Sequence, residues 1–198
     1  MSLIATDTGG GDFKLVPEGT HIAVCNMIVD LGMQETNFGP KHKCYVRWEL
    51  PNEEIEWKDK EGNEHKGPMT IGANYTVSLS EKANLRHDLE GWRGKAFTSE
   101  ELAGFDVFNI LGKPCQVSVV HNESGGKTYA NVSGVVAIPK GMEAPQAQND
   151  LVKYSESEPG MFENLPDWIK KKLENKVVQE PSPQKSNSLD DFDDDIPF

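Results

Sequence analysis

Lys43-Cys44-Tyr45-Val46-Arg47-Trp48-Glu49-Leu50 alternates strictly, with Cys44, Val46, Trp48 and Leu50 on one side and Lys43, Tyr45, Arg47 and Glu49 on the other. A period of two is that of a β-strand with one face on a core and one toward water. Trp48 therefore reads as core, and the Lys43, Tyr45, Arg47 side as a polar sheet face. Upstream, residues 20–31 (THIAVCNMIVDL) form a long β-rich run. Downstream, Pro51-Asn52 closes the alternating strand. Residues 55–58 and 69–79 then flank a charged, glycine-containing stretch that reads as a hairpin, and Met69, Ile71, Ala73, Tyr75, Val77 and Leu79 share an apolar face. Ser80 is placed to cap a helix running to Gly91, with Ala83, Leu85 and Leu89 toward the core. A helical turn is expected over 105–111, ahead of Gly112 and Pro114. Two further strands, 115–120 and 127–138, are joined by a polar glycine turn, His121-Asn-Glu-Ser-Gly-Gly126.

The chain is thus mainly β. Five strand units with a helix between the third and fourth is the order of the OB-fold, a five-stranded Greek-key barrel whose face and loops commonly hold oligonucleotides. A generic β-barrel or an SH3-like barrel fits the same pattern. The expected organisation is a flexible N-terminus over 1–12, ending near Gly9-Gly10-Gly11, and an OB-like domain over 13–140. A polar linker follows over 141–176, and a disordered acidic tail over 177–198. The linker holds one amphipathic island, 164–176. Asn164 is set to cap it, Pro166 stands near its start, and Trp168, Ile169 and Leu173 fall at helical spacing around Lys170, Lys171 and Lys172.

The formal net charge is −12 over 198 residues. It is spread along the chain: residues 151–198 hold 6 Lys+Arg against 11 Asp+Glu, which leaves 14 against 21 before them. Any site for a polyanion must therefore be a local basic stripe on an acidic body. Cys25, Cys44 and Cys115 have neither zinc spacing nor a disulfide framework. The start of the chain lacks the basic and apolar regions of a secretory signal, and no apolar run approaches a membrane span. The expectation is a cytoplasmic protein without cofactor or metal. No spacing assembles a catalytic constellation. Gly125-Gly126-Lys127-Thr128 resembles part of a phosphate-binding loop but lies in a hairpin, so it reads as a turn.

The last residues, Asp190-Asp191-Phe192-Asp193-Asp194-Asp195-Ile196-Pro197-Phe198, place an anionic run before an apolar, proline-stiffened ending. A plain acidic tail explains the aspartates but not Ile-Pro-Phe. This ending resembles the acidic C-terminal tip of bacterial single-stranded DNA-binding proteins. The resemblance covers nine residues; the body does not follow the bacterial pattern, and its acidity suits a divergent, phage-encoded member working in a host cytoplasm. It implies a non-catalytic protein that binds and protects single-stranded DNA largely without sequence preference. It also implies recruitment of replication, recombination and repair proteins through the tip, and oligomeric binding, although the departures in the body leave subunit number open. The alternative is a replication or recombination adaptor, or an acidic decoy, that uses the same tip while its barrel binds protein.

Binding single strands needs cations for phosphates and exposed aromatic faces for bases. Residues 36–48 contain three cations and no acid. Within or beside them Lys41, Lys43, Tyr45 and Arg47 are candidates, the alternative being a solvated sheet face. Trp57 beside Lys58 falls where a barrel hairpin would project. Lys127 and Tyr129 share the polar face of the last strand. Arg93 and Lys95 follow the helix, where Trp92 reads as a core plug and the two cations as phosphate contacts.

Overall fold

The computed structural model describes residues 14–58 and 61–177. The N-terminal stretch assigned to 1–12 and the tip at 190–198 lie outside the described residues. Five antiparallel strands run in the order β3-β2-β1-β4-β5. They are β1 (Gly19–Gln34), β2 (Lys41–Lys58), β3 (Glu64–Thr76), β4 (Pro114–Ser124) and β5 (Lys127–Val136). The sheet curls until its two edges, β3 and β5, approach each other. No backbone ladder joins those edges among the described residues, so the barrel is a half-barrel of OB type. Helix α1 (Asn84–Arg93) connects β3 to β4 and lies against β5 and β3.

The curl has local causes. In β1 the pairing with β2 slips between Cys25 and Met27 and again between Asp30 and Gly32. Each extra residue bends the strand and increases its twist. At the second slip Gly32 takes φ +67° while its amide donates to the Asp30 carboxylate at 2.8 Å. A side chain there would be strained by the backbone alone. In β2 the register jumps between Leu50 and Glu54. Pro51, which has no N–H to give a ladder, falls inside that bulge, so the strand expected to close at Pro51-Asn52 bends and continues to Lys58. The β4–β5 turn is also tighter than the six-residue turn expected: β4 runs through to Ser124, and Gly125 and Gly126, with φ of +58° and +75°, form a two-residue reversal.

The barrel interior is one apolar cluster. Trp48 lies at its centre against Trp92 and Tyr75, with ring centroids 6.0 and 6.5 Å away. The Trp92 indole donates to the Pro114 carbonyl at 2.9 Å and the Tyr75 hydroxyl to Asp88 at 2.7 Å, while the Trp48 indole nitrogen is buried without a hydrogen-bond partner. Helix α1 approaches closely at Gly91, where an added Cβ would come 2.5 Å from the Val135 carbonyl oxygen. Its start differs from expectation. Ser80 does not cap it; the N-cap is Ala83, without a side-chain bond, and the Ser80 hydroxyl is buried without a hydrogen-bond partner. The helix expected over 80–91 is displaced toward 84–93 because residues 80–83 close a turn first, with the Ala83 amide donating to Ser80. A short helix not anticipated from the sequence, α2 (Ser99–Ala103), follows, with Thr98 and Glu101 forming a reciprocal capping box.

Residues 150–177 build a second core on the outside of the barrel. β6 (Val152–Tyr154) pairs parallel to Met27–Val29 of β1. A 3-10 turn (Pro159–Asn164) leads into α3 (Asp167–Glu174). Met27, Val29 and Leu31 of β1 and Tyr45 of β2 pack there against Val152, Tyr154, Leu165, Ile169 and Leu173. α3 starts after Pro166 and has no side-chain cap, so Asn164 does not cap it. No helix among the described residues is long and apolar enough to cross a membrane.

Candidate nucleic-acid interface

A cleft of about 1650 Å³ opens where β3 and β5 approach. It gathers residues far apart in sequence: Arg47, Trp57 and Lys58 from β2, Thr70 and Gly72 from β3, and Lys127, Tyr129 and Asn131 from β5. Lys14 enters from the segment before β1, and Asn149, Asp150 and Asn164 from the C-terminal segment. Four of its lining residues are Lys or Arg and one, Asp150, is acidic. On a body of net charge −12 that is a local inversion of sign.

Trp57 and Tyr129 are each 47% exposed. Trp57 lies near the end of the long β2–β3 arm, stacked on His65 with centroids 5.5 Å apart and planes 19° from parallel. Exposure of both aromatics follows from position, since each lies near a hairpin tip beyond the reach of the core. Lys58 pairs with Glu64 at 3.0 Å, and both side chains are exposed. Such a pair contributes little and can be exchanged for a phosphate.

Arg47 is aimed by a buried polar network. Its Nε donates to Asn26 Oδ1 at 3.0 Å, and Asn26 Nδ2 donates to Glu49 at 3.3 Å. Asn26 is the residue left over in the first β1 bulge, and its side chain meets Arg47 and Glu49 on the outer face of β2. Glu49 is 0% exposed and accepts from the Gln148 amide, the Asn149 amide at 3.0 Å and the Asn149 side chain at 2.8 Å. One carboxylate thereby ties residues 148–149 to β2 and fixes the rim on which Asn149 and Asp150 stand. Burial disfavours the charged form of Arg47, and the neighbouring Tyr45, Glu49 and Cys25 only partly offset it, so its pKa falls below the ordinary value.

The remaining sequence candidates lie elsewhere. The face carrying Lys43, Tyr45 and Glu49 is not open: the C-terminal segment covers it. Tyr45 is 9% exposed and meets Trp168 edge-on, with centroids 4.9 Å apart. Lys43 is buried and donates to the Thr76 hydroxyl at 2.8 Å. Lys41 is half-buried at the start of β2 and does not line the cleft. Arg93, expected as a phosphate contact, bonds Glu101, lies over the Phe97 ring at 4.3 Å and does not line the cleft. Lys95 is exposed near Glu101, away from the cleft. Sequence reasoning missed Lys14, Thr70, Asn149, Asp150 and Asn164, because only the closure of the barrel and the docking of residues 148–177 bring them together.

No protein-family model matches this chain, and no curated protein matches it either.

Proposed function

We propose that the protein is a non-catalytic single-stranded DNA-binding protein whose strand lies in the cleft between β3 and β5. The observation that carries this reading is the convergence of Arg47, Trp57, Lys58, Lys127 and Tyr129 on one open surface with Lys14 and a single acid. Two exposed rings offer stacking faces and four cations meet phosphates, the combination that sequence-independent single-strand binding requires. Curled open edges admit a flexible single strand more readily than a stiff duplex. The tip, Asp190 to Phe198, supplies the second half of the proposal: recruitment of replication, recombination and repair proteins, which its resemblance to the bacterial tip supports. The two parts act together, since a tip tethered to a DNA-bound barrel raises the local concentration of its partners on the strand.

The test is fluorescence anisotropy of a labelled oligothymidylate against a duplex of equal length. The single strand should bind more tightly, with log affinity falling against log salt at a slope of roughly −3, from about −0.7 for each of four cations. Equal or tighter duplex binding refutes the assignment. Absence of oligonucleotide binding together with capture of DNA-metabolism enzymes by the tip favours the adaptor reading instead. Removing residues 190–198 should abolish that capture and leave oligonucleotide binding intact or tighter.

A further inference from the structure

We infer that Arg47 holds one phosphate of the bound strand through its two terminal nitrogens, and that Asn26 is the positioning residue that keeps this guanidinium from being neutralised by Glu49; this rests on the cleft reading above. The chain has three arginines. Two are engaged by carboxylates: Arg86 pairs with Glu90 at 3.0 Å, and Arg93 pairs with Glu101. Arg47, the one that lines the cleft, gives its Nε to a neutral amide instead, Asn26 Oδ1 at 3.0 Å. Among the described residues nothing accepts from its two terminal nitrogens.

Arg47 and Glu49 stand two residues apart on one face of β2, close enough for a guanidinium to reach the carboxylate directly. Asn26, buried in the first β1 bulge, bridges them instead. Its amide has one accepting and one donating end, and each is matched: the oxygen accepts from Arg47, and the nitrogen donates to Glu49 at 3.3 Å. Neither an aspartate nor a lysine could face both. The Glu49 carboxylate is otherwise turned to the amides of Gln148 and Asn149, so neutral donors meet its charge. The guanidinium therefore stays uncancelled while its Nε is fixed. A half-buried planar fork held at one corner presents its other two nitrogens in the geometry that two phosphate oxygens match. The other cleft cations are lysines: Lys14 and Lys127 are exposed, and Lys58 pairs with Glu64. They are point charges on flexible stems, which add attraction without orientation.

A short oligothymidylate titrated by anisotropy on the full chain separates charge from geometry. Arg47→Lys keeps the charge but not the fork, and should bind at least ~5-fold more weakly with an unchanged salt slope. Arg47→Gln should lose more and make the slope less negative by about 0.7. Asn26→Ala alters no residue of the cleft lining, yet by letting Arg47 fall onto Glu49 it should match Arg47→Gln in both affinity and slope. Adding Glu49→Gln to Asn26→Ala removes the competing charge. Measured below the melting range of that double variant, the slope and most of the affinity should return, a recovery that a purely structural role for Asn26 does not give. The wild-type chain supplies a readout that needs no buried substitution. Its three arginine Nε–H groups give three proton–nitrogen NMR signals, and that of Arg47 is the one missing from Arg47→Lys. The oligothymidylate should shift this signal, slow the exchange of the Arg47 terminal N–H groups enough to bring them into view, and leave Arg86 and Arg93 unmoved. Oligonucleotide binding with the Arg47 signal unmoved, or wild-type affinity and slope in Asn26→Ala, overturns the inference while leaving the cleft reading in place. Failure of the wild-type chain to bind the oligonucleotide overturns both.

Discussion

Tyr45→Ala separates a sheet face open to DNA from one covered by the chain itself. The alternation over residues 43–50 predicts that this change weakens binding and spares the fold. The structure predicts the opposite. Burying an aromatic side chain removes roughly 150–250 Å² from water, worth an upper limit of about 4–6 kcal/mol at ~25 cal/mol/Å². The edge-on contact with Trp168 adds about 0.5–1.5 kcal/mol. Aromatic-to-alanine changes in cores realise about 3–5 kcal/mol of this. The low end, near 3 kcal/mol, applies because Tyr45 borders exposed Trp168 and the vacated space can take up water. The second core is a contiguous unit of its own, so the loss should appear first as local opening of residues 152–173. Hydrogen exchange resolved along the chain, beside urea unfolding, reads both. Protection in β6 and α3 should fall while β1–β5 keep theirs, and affinity for a short oligonucleotide should stay within about twofold. Unchanged protection and unfolding midpoint, with short-oligonucleotide binding lost, would refute the docking of α3 on this face.

Trp57→Ala and Tyr129→Ala should each weaken single-strand binding by roughly 1–3 kcal/mol and shift stability by less than about 0.5 kcal/mol, as titration and thermal melts would show; normal binding by the double variant removes the cleft from consideration. Glu49→Ala should cost about 3 kcal/mol or more, because it strands the Asn26 side chain and the amides of residues 148–149 in a buried site, and a near-wild-type urea midpoint would contradict the network. Gly91→Ala should destabilise by roughly 1–3 kcal/mol through its clash with the Val135 carbonyl, read as a lower melting temperature with unchanged oligonucleotide affinity. The His42–Asp30 pair, at 2.7 Å, gives a pH signature. The hydrogen bond to Asp30 raises the His42 pKa against the opposing effect of burial. Burial pushes Asp30 up, but the bonds from His42 and the Gly32 amide outweigh it and its pKa falls. The His42 contribution is full below its unfolded pKa near ~6.5 and is lost as pH rises through the raised folded value. That of Asp30 is present above about 3.9 and is lost as pH falls through the lowered one. The stability difference between wild type and His42→Gln should therefore peak between about pH 4 and 6.5, at no more than roughly 1 kcal/mol for so exposed a pair, and a difference that grows toward alkaline pH would exclude it.

The inward half of the barrel was legible because burial follows side-chain period. Trp48, Met69, Ile71, Tyr75, Leu85, Leu89 and Trp92 all stand in the core where their spacing put them. Trp57 and Tyr129 were legible as exposed rings because both precede or follow glycine-containing turns. The outer face of β2 departs from the alternation's expectation because polar side chains need partners, not solvent. Lys43, Arg47 and Glu49 are polar yet satisfied by Thr76, Asn26 and Asn149, and the last of these partners lies 100 residues further along the chain. No local pattern encodes such a pairing. Ser80 misled in a similar way, since a capping residue type marks a helix start only when the turn that follows does not intervene.

The parallel pairing of β6 with Met27–Val29 has a consequence for where the chain can be shortened. Composition turns polar after residue 139, which invites a cut there. Such a cut would strip Met27, Val29, Leu31 and Tyr45 of their cover and leave the β1 edge beside them without its neighbour. An apolar stripe next to an unpaired strand edge is a template for sheet-to-sheet self-association. A fragment ending at residue 140 should therefore precipitate or form β-rich aggregates, whereas one ending at 177 should stay dispersed. Residues 150–177 act as the guard on that edge.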